Sequence, residues 1–224
     1  MPAKDGVRLY TLGTAPADRE KCPTIIVRMP YVRSARADKA KWIAENRKYT
    51  RRGYARIYQH CRGCGMSEGD WIPYENERED GLALLEFVRK LPWYNGEIFL
   101  TGSSYCASAH FSCLDTDPPD VKGAALLVQD ANRYNVCYRN GFFKIGLHGG
   151  WDVGMYKKKQ LTQKNFAKDS FRIFPLNALS KTVFGEENPL LTEEFCHPDP
   201  ADPFWQTPEG GSEYADCCNK CACP

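Results

Sequence analysis

The chain predicts an α/β fold, a mostly parallel sheet flanked by helices. Three observations carry this: strand-like and helix-like segments alternate with short connections from Thr24 to Asp130; Thr24–Met29 is nearly all apolar, as a strand buried on both faces must be; and the apolar run Ile98-Phe99-Leu100-Thr101 passes directly into Gly102-Ser103-Ser104-Tyr105-Cys106-Ala107, the composition of a sharp strand-to-helix turn.

In chain order, Val7, Leu9 and Thr11 alternate with polar neighbours and predict a half-exposed strand, so the sheet is expected to be mixed. After the buried strand at Thr24–Met29, a helix is expected over Ala35–Arg52, with Ala40, Ile43 and Ala44 on its apolar face and Gly53 ending it. Tyr54–Gln59 is the next strand. Glu77, Glu79 and Asp80 then load the first turn of a helix whose Leu82, Leu85 and Val88 recur at helical spacing, where acidic groups suit the positive end of the dipole. Strand Glu97–Thr101, a helix after the turn and strand Ala124–Gln129 follow.

Beyond Asp130 the texture becomes aromatic, glycine-bearing and lysine-rich, Tyr134–Gly185, with amphipathic stretches and no clear strand. It reads as a helical insertion over the C-terminal edge of the sheet, where open α/β proteins place ligand sites. The expected division is 1–130 for the N-terminal part of the core, 131–195 for the helical cap, and 196–224 for a return segment with a disordered end. Lys157-Lys158-Lys159 reads as a solvated helix face.

Thirty basic against twenty-eight acidic residues give a formal charge of +2, a balance that excludes a dedicated nucleic-acid or membrane-surface protein. Charged residues interrupt the first thirty positions and no later run approaches spanning length, so a soluble, cytoplasmic chain is expected. The eleven cysteines cannot all pair with one another. Cys61-x-x-Cys64 and Cys218-x-x-Cys221, with Cys217 and Cys223 nearby, have the spacing of a four-thiolate zinc site. More than 150 residues separate the two pairs, and the first lies in a glycine-rich turn, so no metal and no cofactor is expected. Cys22, Cys113, Cys137 and Cys196 read as small apolar fillers.

The chemistry is expected at Ser104. A strand that stops abruptly before a helix holds a hydroxyl clear of the backbone, provided small residues flank the turn, and Gly102, Ala107, Ser108 and Ala109 supply them. Ser103 precedes the tip of the turn and Cys106 falls two residues past it. The glycines of Arg62–Gly69 lack the lysine and hydroxyl that complete a P-loop and read as a structural turn.

Four ordered strings, Arg28-Met29-Pro30-Tyr31, Arg62-Gly63-Cys64-Gly65-Met66-Ser67-Glu68-Gly69, Pro92-Trp93-Tyr94-Asn95-Gly96 and the Ser104 turn, resemble the cocaine esterase and Xaa-Pro dipeptidyl-peptidase (CocE/NonD) family of α/β-hydrolases. Asn76–Gly81 fits the same family. The resemblance covers about residues 5 to 205. It implies an α/β-hydrolase core with an inserted helical cap, Ser104 as nucleophile, the Tyr31 hydroxyl and the Tyr105 backbone N–H as oxyanion donors, and Trp71, Tyr74 and Trp151, with Trp93, around the acyl or amide pocket. Without the family, Tyr31 reads equally well as an aromatic packed at the sheet end. Two departures stand out: His60 holds a position usually aspartate, implying a lost local ion pair and a structural histidine, and Ala107 stands where the turn usually has its last glycine.

A serine hydrolase of this kind needs an acid and a histidine after the nucleophile. Phe195-Cys196-His197-Pro198-Asp199, with Asp202, Phe204 and Trp205, resembles the family's return segment after the cap, so both partners, and the C-terminal part of the core, are expected beyond residue 224. Asp130, His148 and His197 are the substitutes within the chain; Asp130 is better read as the cap of the first helix after the core, His148 as part of the cap sequence between Leu147 and Gly149, and His197 as a residue before proline in the return loop. An uncovered strand edge predicts homodimer-like pairing. The expected function is hydrolysis of acyl ester or amide bonds, including Xaa-Pro peptides, through an acyl-enzyme on Ser104; the alternative is an inactive fragment or binding module. The expected partner is a small ester, an amide or a short peptide.

Overall fold

Five strands form one sheet in the order β1-β3-β2-β4-β5: β1 (Thr11–Thr14), β2 (Cys22–Met29), β3 (Ala55–His60), β4 (Tyr94–Ser103) and β5 (Val121–Leu127). The computed structural model describes residues 1–32, 35–155 and 172–206. β1 runs antiparallel to β3, and the remaining neighbours are parallel, so the sheet is mixed and mostly parallel as expected. The short first strand begins later than its alternation predicted. Residues 1–9 close on themselves instead, with Met1 and Leu9 exchanging backbone hydrogen bonds at 2.7 Å and Pro2 bridging Arg8, which leaves Thr11–Thr14 to pair with Arg56–Gln59.

Helices α1 (Ala35–Thr50), α2 (Glu77–Arg89) and α3 (Tyr105–Leu114) connect these strands. Ile26, Ile57, Ile98 and Leu100 of the sheet pack with Leu84, Leu85 and Val88 of α2 and with Phe111 and Leu114 of α3. All ten residues of α3 are buried, which is why this helix can be built from small side chains. The inward face of α1 differs from expectation. Ile43 and Ala44 are exposed, and the helix buries Trp42 and Asn46, with Trp42 packed against Val27 and Tyr58. One indole buries more apolar area than several small residues, so it sets the rotation of the helix. The side chain of Ala40 lies outside the described residues.

β5 is the sheet's edge among the described residues, and Leu127 and the following Val128 are exposed there. Next comes α4 (Arg133–Cys137), whose N-cap is Asn132 rather than Asp130: the Tyr134 N–H donates to Asn132 Oδ1 at 2.8 Å, while Asp130 Oδ1 accepts the Asn132 N–H one step earlier. The segment holds a strand pair that hydrophobic patterning did not predict, β6 (Tyr138–Arg139) with β7 (Phe142–Phe143). Asn140-Gly141 joins them with both residues at positive φ, 51° and 80°, the backbone that a two-residue hairpin turn demands. A π-helical turn (Ile145–Gly149) runs into α5 (Gly150–Met155), and α6 (Leu179–Phe184) and α7 (Pro189–Cys196) follow. Asn188 caps α7 by accepting the Leu191 N–H, with Pro189 opening the first turn. Lys157-Lys158-Lys159 and the cysteines from Cys217 onward lie outside the described residues. Among the described residues no helix is long and apolar enough to cross a membrane.

Candidate active site

Ser104 stands between the end of β4 and the start of α3 with φ 57° and ψ −134°. A non-glycine residue in that region stores backbone strain, held here by the Ser104 N–H donating to the Leu127 carbonyl at 2.9 Å and by the Ser104 carbonyl accepting from Ala107 at 2.8 Å. Gly102 makes the turn possible. A Cβ there would lie 2.6 Å from the backbone carbon and oxygen of Cys106, so only glycine lets the first turn of α3 approach β4 this closely.

Tyr31, just past β2, places its Oη 3.2 Å from Ser104 Oγ. The same oxygen accepts the Tyr105 backbone N–H and the Trp151 indole N–H, each at 3.3 Å. With both acceptor positions of the phenol oxygen taken, its own O–H is left to donate toward Ser104. Burial raises the Tyr31 pKa above the ordinary phenol value, with the surrounding hydrogen bonds working against that, so the hydroxyl stays protonated.

The ring of Tyr105 is locked by its hydroxyl, which accepts the Tyr74 N–H at 2.6 Å and donates to Glu77 Oε1 at 3.1 Å. Glu77 also accepts from the Trp71 indole at 3.4 Å and sits 2.8 Å from the Arg28 guanidinium. Arg28 in turn donates to the Glu77 and Ala109 carbonyls and to Gln59 Oε1, tying β2, β3, α2 and α3 together. Burial opposes the charge on Arg28, but Glu77 outweighs it and holds the guanidinium pKa above its usual value. The acidic start of α2 is thus occupied by ion pairs more than by the helix dipole: Asp80 binds Arg62 at 2.7 Å and 3.1 Å, and Arg62 also binds Asp5 at 2.6 Å.

A cavity of about 380 Å³ opens at Ser104, lined by Tyr74, Tyr105, Leu147, His148 and Trp151 among others, with Asp130 and Lys144 at its polar side. Tyr74 and Trp151 thus both line this cavity. Trp71 stands one layer behind them, buried and edge-on to Tyr105 and Trp151, and Trp93 packs on the far side of the core against Gly13.

The four histidines occupy distinct settings. His60 accepts the Met66 N–H at 3.2 Å within the glycine-rich turn and packs on Tyr10 and Tyr58. His110 is buried in α3, and burial together with Arg28 lowers its pKa to about 3. His197 lies 2.9 Å from Asp202 and stacks on Phe204. His148 reaches the cavity wall and stacks on Trp151, but its Nε2 faces Glu194 at 3.1 Å and Asp152 at 3.5 Å.

That carboxylate pair was not anticipated. Arg133 donates to Glu194 Oε1 at 2.6 Å and 3.2 Å and lies 4.1 Å over the Tyr74 ring. Burial, then the neighbouring Glu194, push the Asp152 pKa well up; burial also works to raise Glu194, but His148 and Arg133 outweigh it and bring it to about 2. The sequence signal is limited to a charged residue next to a large apolar one, Asp152 after Trp151 and Glu194 before Phe195. Cys61 and Cys64 are buried with Trp71, Tyr105 and Ala109, while Cys218 and Cys221 lie outside the described residues.

The family model described as X-Pro dipeptidyl-peptidase (S15 family) matches residues 5–218. Cocaine esterase of Rhodococcus sp. (strain MB1 Bresler) is 26% identical over 229 residues, covering 92% of this chain and 39% of that protein. An α-amino acid ester hydrolase structure aligns with a TM-score of 0.68 at 20% identity, over 98% of this chain and 39% of its own. A CocE/NonD family hydrolase from Staphylococcus aureus aligns with a TM-score of 0.63 at 20% identity, over 92% and 36% respectively. At these identities the structures show a common α/β-hydrolase fold. The chain spans about two fifths of the length of the relatives it matches.

Proposed function

The chain belongs to the X-Pro dipeptidyl-peptidase (S15) family of hydrolases, and from that premise and the geometry at the β4–α3 turn we propose that it carries the nucleophile and oxyanion donors of a serine acyl hydrolase. The observation that carries the reading is Ser104 at positive φ with its Oγ 3.2 Å from the Tyr31 hydroxyl. Ser104 Oγ attacks the carbonyl carbon of an ester or amide and gives its proton to a general base. The carbonyl π electrons move onto oxygen, and the Tyr31 O–H and Tyr105 N–H, which in the free site donate to Ser104 Oγ and to the Tyr31 oxygen, turn to that negative charge. Collapse of the tetrahedral species expels the alcohol or amine, which takes a proton, and leaves an acyl-Ser104 ester for water to cleave.

Donors held beside the nucleophile need only a short change of partner when charge appears, and one such donor is worth on the order of 3 kcal/mol. The cavity volume suits a small substrate, and Tyr74, Leu147 and Trp151 favour an aromatic or alkyl acyl group. The family's description also supports peptides with penultimate proline as substrates. A fluorophosphonate probe tests the reading. Covalent attachment at Ser104 of the folded chain, absent from Ser104→Ala, is the expected result; a folded chain that takes no label overturns it and favours a noncatalytic binding role.

A further inference from the structure

Behind the cavity wall, three buried side chains bring ligand atoms together, with a fourth close to one of them. Cys137 Sγ, at the end of α4, a ring nitrogen of His148, from the π-helical turn, and a carboxylate oxygen of Glu194, on α7, all lie within 4.8 Å of one another. Asp152 Oδ1, one helical turn after His148, is 3.5 Å from His148 Nε2, and Glu194 Oε2 is 3.1 Å from it. All four residues are at least nine-tenths buried. His148 Nε2, both Asp152 oxygens and Glu194 Oε2 lack a well-aligned hydrogen bond, although His148 and Asp152 both draw on the Glu194 carboxylate.

We propose that Cys137, His148, Asp152 and Glu194 form a four-coordinate site for a divalent transition metal of the zinc class. Zinc bonds of about 2.0–2.1 Å to nitrogen and oxygen at tetrahedral angles place ligand atoms roughly 3.3 Å apart. The two separations seen at His148 Nε2 bracket that value. A thiolate and an imidazole beside two carboxylates select zinc over calcium or magnesium, which take oxygen ligands.

Charge closes as well. A thiolate and two carboxylates contribute three negative charges; a divalent ion and the Arg133 guanidinium cancel them, leaving the buried group neutral. Arg133 uses the other Glu194 oxygen, Oε1, so it orients the ligand without occupying a coordination position. Loading displaces the thiol proton of Cys137, and any proton held by His148 Nε2 or Asp152, to solvent. The ion would pin α4, the π-helical turn and α7 to one another, behind the wall that carries Trp151.

The test uses the full chain with Cys217, Cys218, Cys221 and Cys223 changed to serine, which removes competing thiols near the C-terminus. Chelator-stripped, reduced protein is titrated with Co²⁺ and then Zn²⁺. One equivalent of Co²⁺ is expected, with strong tetrahedral visible bands and a thiolate-to-cobalt charge-transfer band, both lost on adding one equivalent of Zn²⁺. Cys137→Ala should abolish the charge-transfer band, and Asp152→Asn should weaken Co²⁺ binding tenfold or more. Cys61→Ser with Cys64→Ser should leave the spectrum unchanged. Circular dichroism of each metal-free variant checks folding, and Cys137→Ser replaces the alanine variant if that one does not fold. No stoichiometric Co²⁺ uptake by folded protein, a weak octahedral spectrum without the thiolate band, or a band that survives in the Cys137 variant overturns the proposal. These readouts are independent of Ser104 reactivity.

Discussion

The Tyr31 hydroxyl oxygen lies 3.2 Å from Ser104 Oγ while accepting the Tyr105 amide and the Trp151 indole N–H at 3.3 Å each. With those two bonds accepted, its proton is left to point toward Ser104 Oγ, the proposed nucleophile. Tyr31→Phe keeps the ring but deletes the donor and also the acceptor of the Tyr105 and Trp151 N–H groups, so fluorophosphonate labelling of Ser104 is expected to slow on the order of 100-fold in a protein whose folding is checked by circular dichroism. Trp151→Phe removes one of the bonds that orient the donor and should slow labelling by a smaller factor. Equal labelling rates in wild type and Tyr31→Phe would exclude Tyr31 as an oxyanion donor.

Glu77 supports the same site from below. It holds the Tyr105 hydroxyl and the Trp71 indole while neutralising Arg28, which is itself fully buried. Glu77→Gln leaves the guanidinium uncompensated in a dry environment and is expected to lower unfolding stability by about 3–5 kcal/mol. Arg28→Met combined with Glu77→Leu removes both charges and should cost less than Glu77→Gln alone. Urea unfolding of the three proteins provides the measurement.

Much of this framework was legible in the residues, because apolar runs and the Gly102–Ala107 turn report local backbone directly. Ser104, Tyr31 and the Tyr105 amide lie together, and Tyr74 and Trp151 line the cavity beside them. What escaped depends on tertiary context. The rotation of α1 was set by Trp42 rather than by the count of small apolar residues, and the β6–β7 hairpin rested on the Asn140-Gly141 turn within a segment whose hydrophobic pattern was weak. The pairs Arg28–Glu77 and Arg133–Glu194 join residues 49 and 61 positions apart, and no local periodicity encodes a partner at that distance.

Cys106 lies two residues past Ser104 and is a plausible decoy for any electrophilic reagent. Its thiol is buried near Met29 Sδ, and burial raises its pKa to about 11. At neutral pH the thiolate fraction is then on the order of one in ten thousand. Cys106→Ala should leave fluorophosphonate labelling undiminished, and iodoacetamide should modify Cys106 in the folded chain only slowly. Peptide mapping distinguishes the two residues.

Gly102 gives the sharpest test of the turn itself. An added Cβ meets backbone rather than a movable side chain, at 2.6 Å. Gly102→Ala must therefore push α3 away from β4, and the expected result is lost labelling together with a clear drop in melting temperature. A fully labelled, fully stable Gly102→Ala protein would show that the approach at this turn is looser than the structure places it.

Acid sensitivity follows from His110. Burial, reinforced by Arg28, lowers its pKa to about 3, whereas an unfolded histidine titrates near 6.5. Between those values the unfolded chain binds a proton that the folded chain refuses, so this group's contribution to stability is complete above about pH 6.5 and falls as pH drops toward 3. The slope is about 1.4 kcal/mol per pH unit. Asp120, whose pKa is lowered to about 2 chiefly by its hydrogen bond with Arg89, acts in the same direction, but only below the ordinary carboxylate range. Asp152, raised by burial, acts in the opposite direction at mildly acidic pH, so the decisive quantity is a difference between proteins. Urea midpoints of wild type and His110→Gln, measured with chelator from pH 7 to pH 4.5, should diverge steadily, wild type losing about 2–3 kcal/mol relative to the variant over that range. Parallel profiles would mean that His110 takes up its proton in the folded chain.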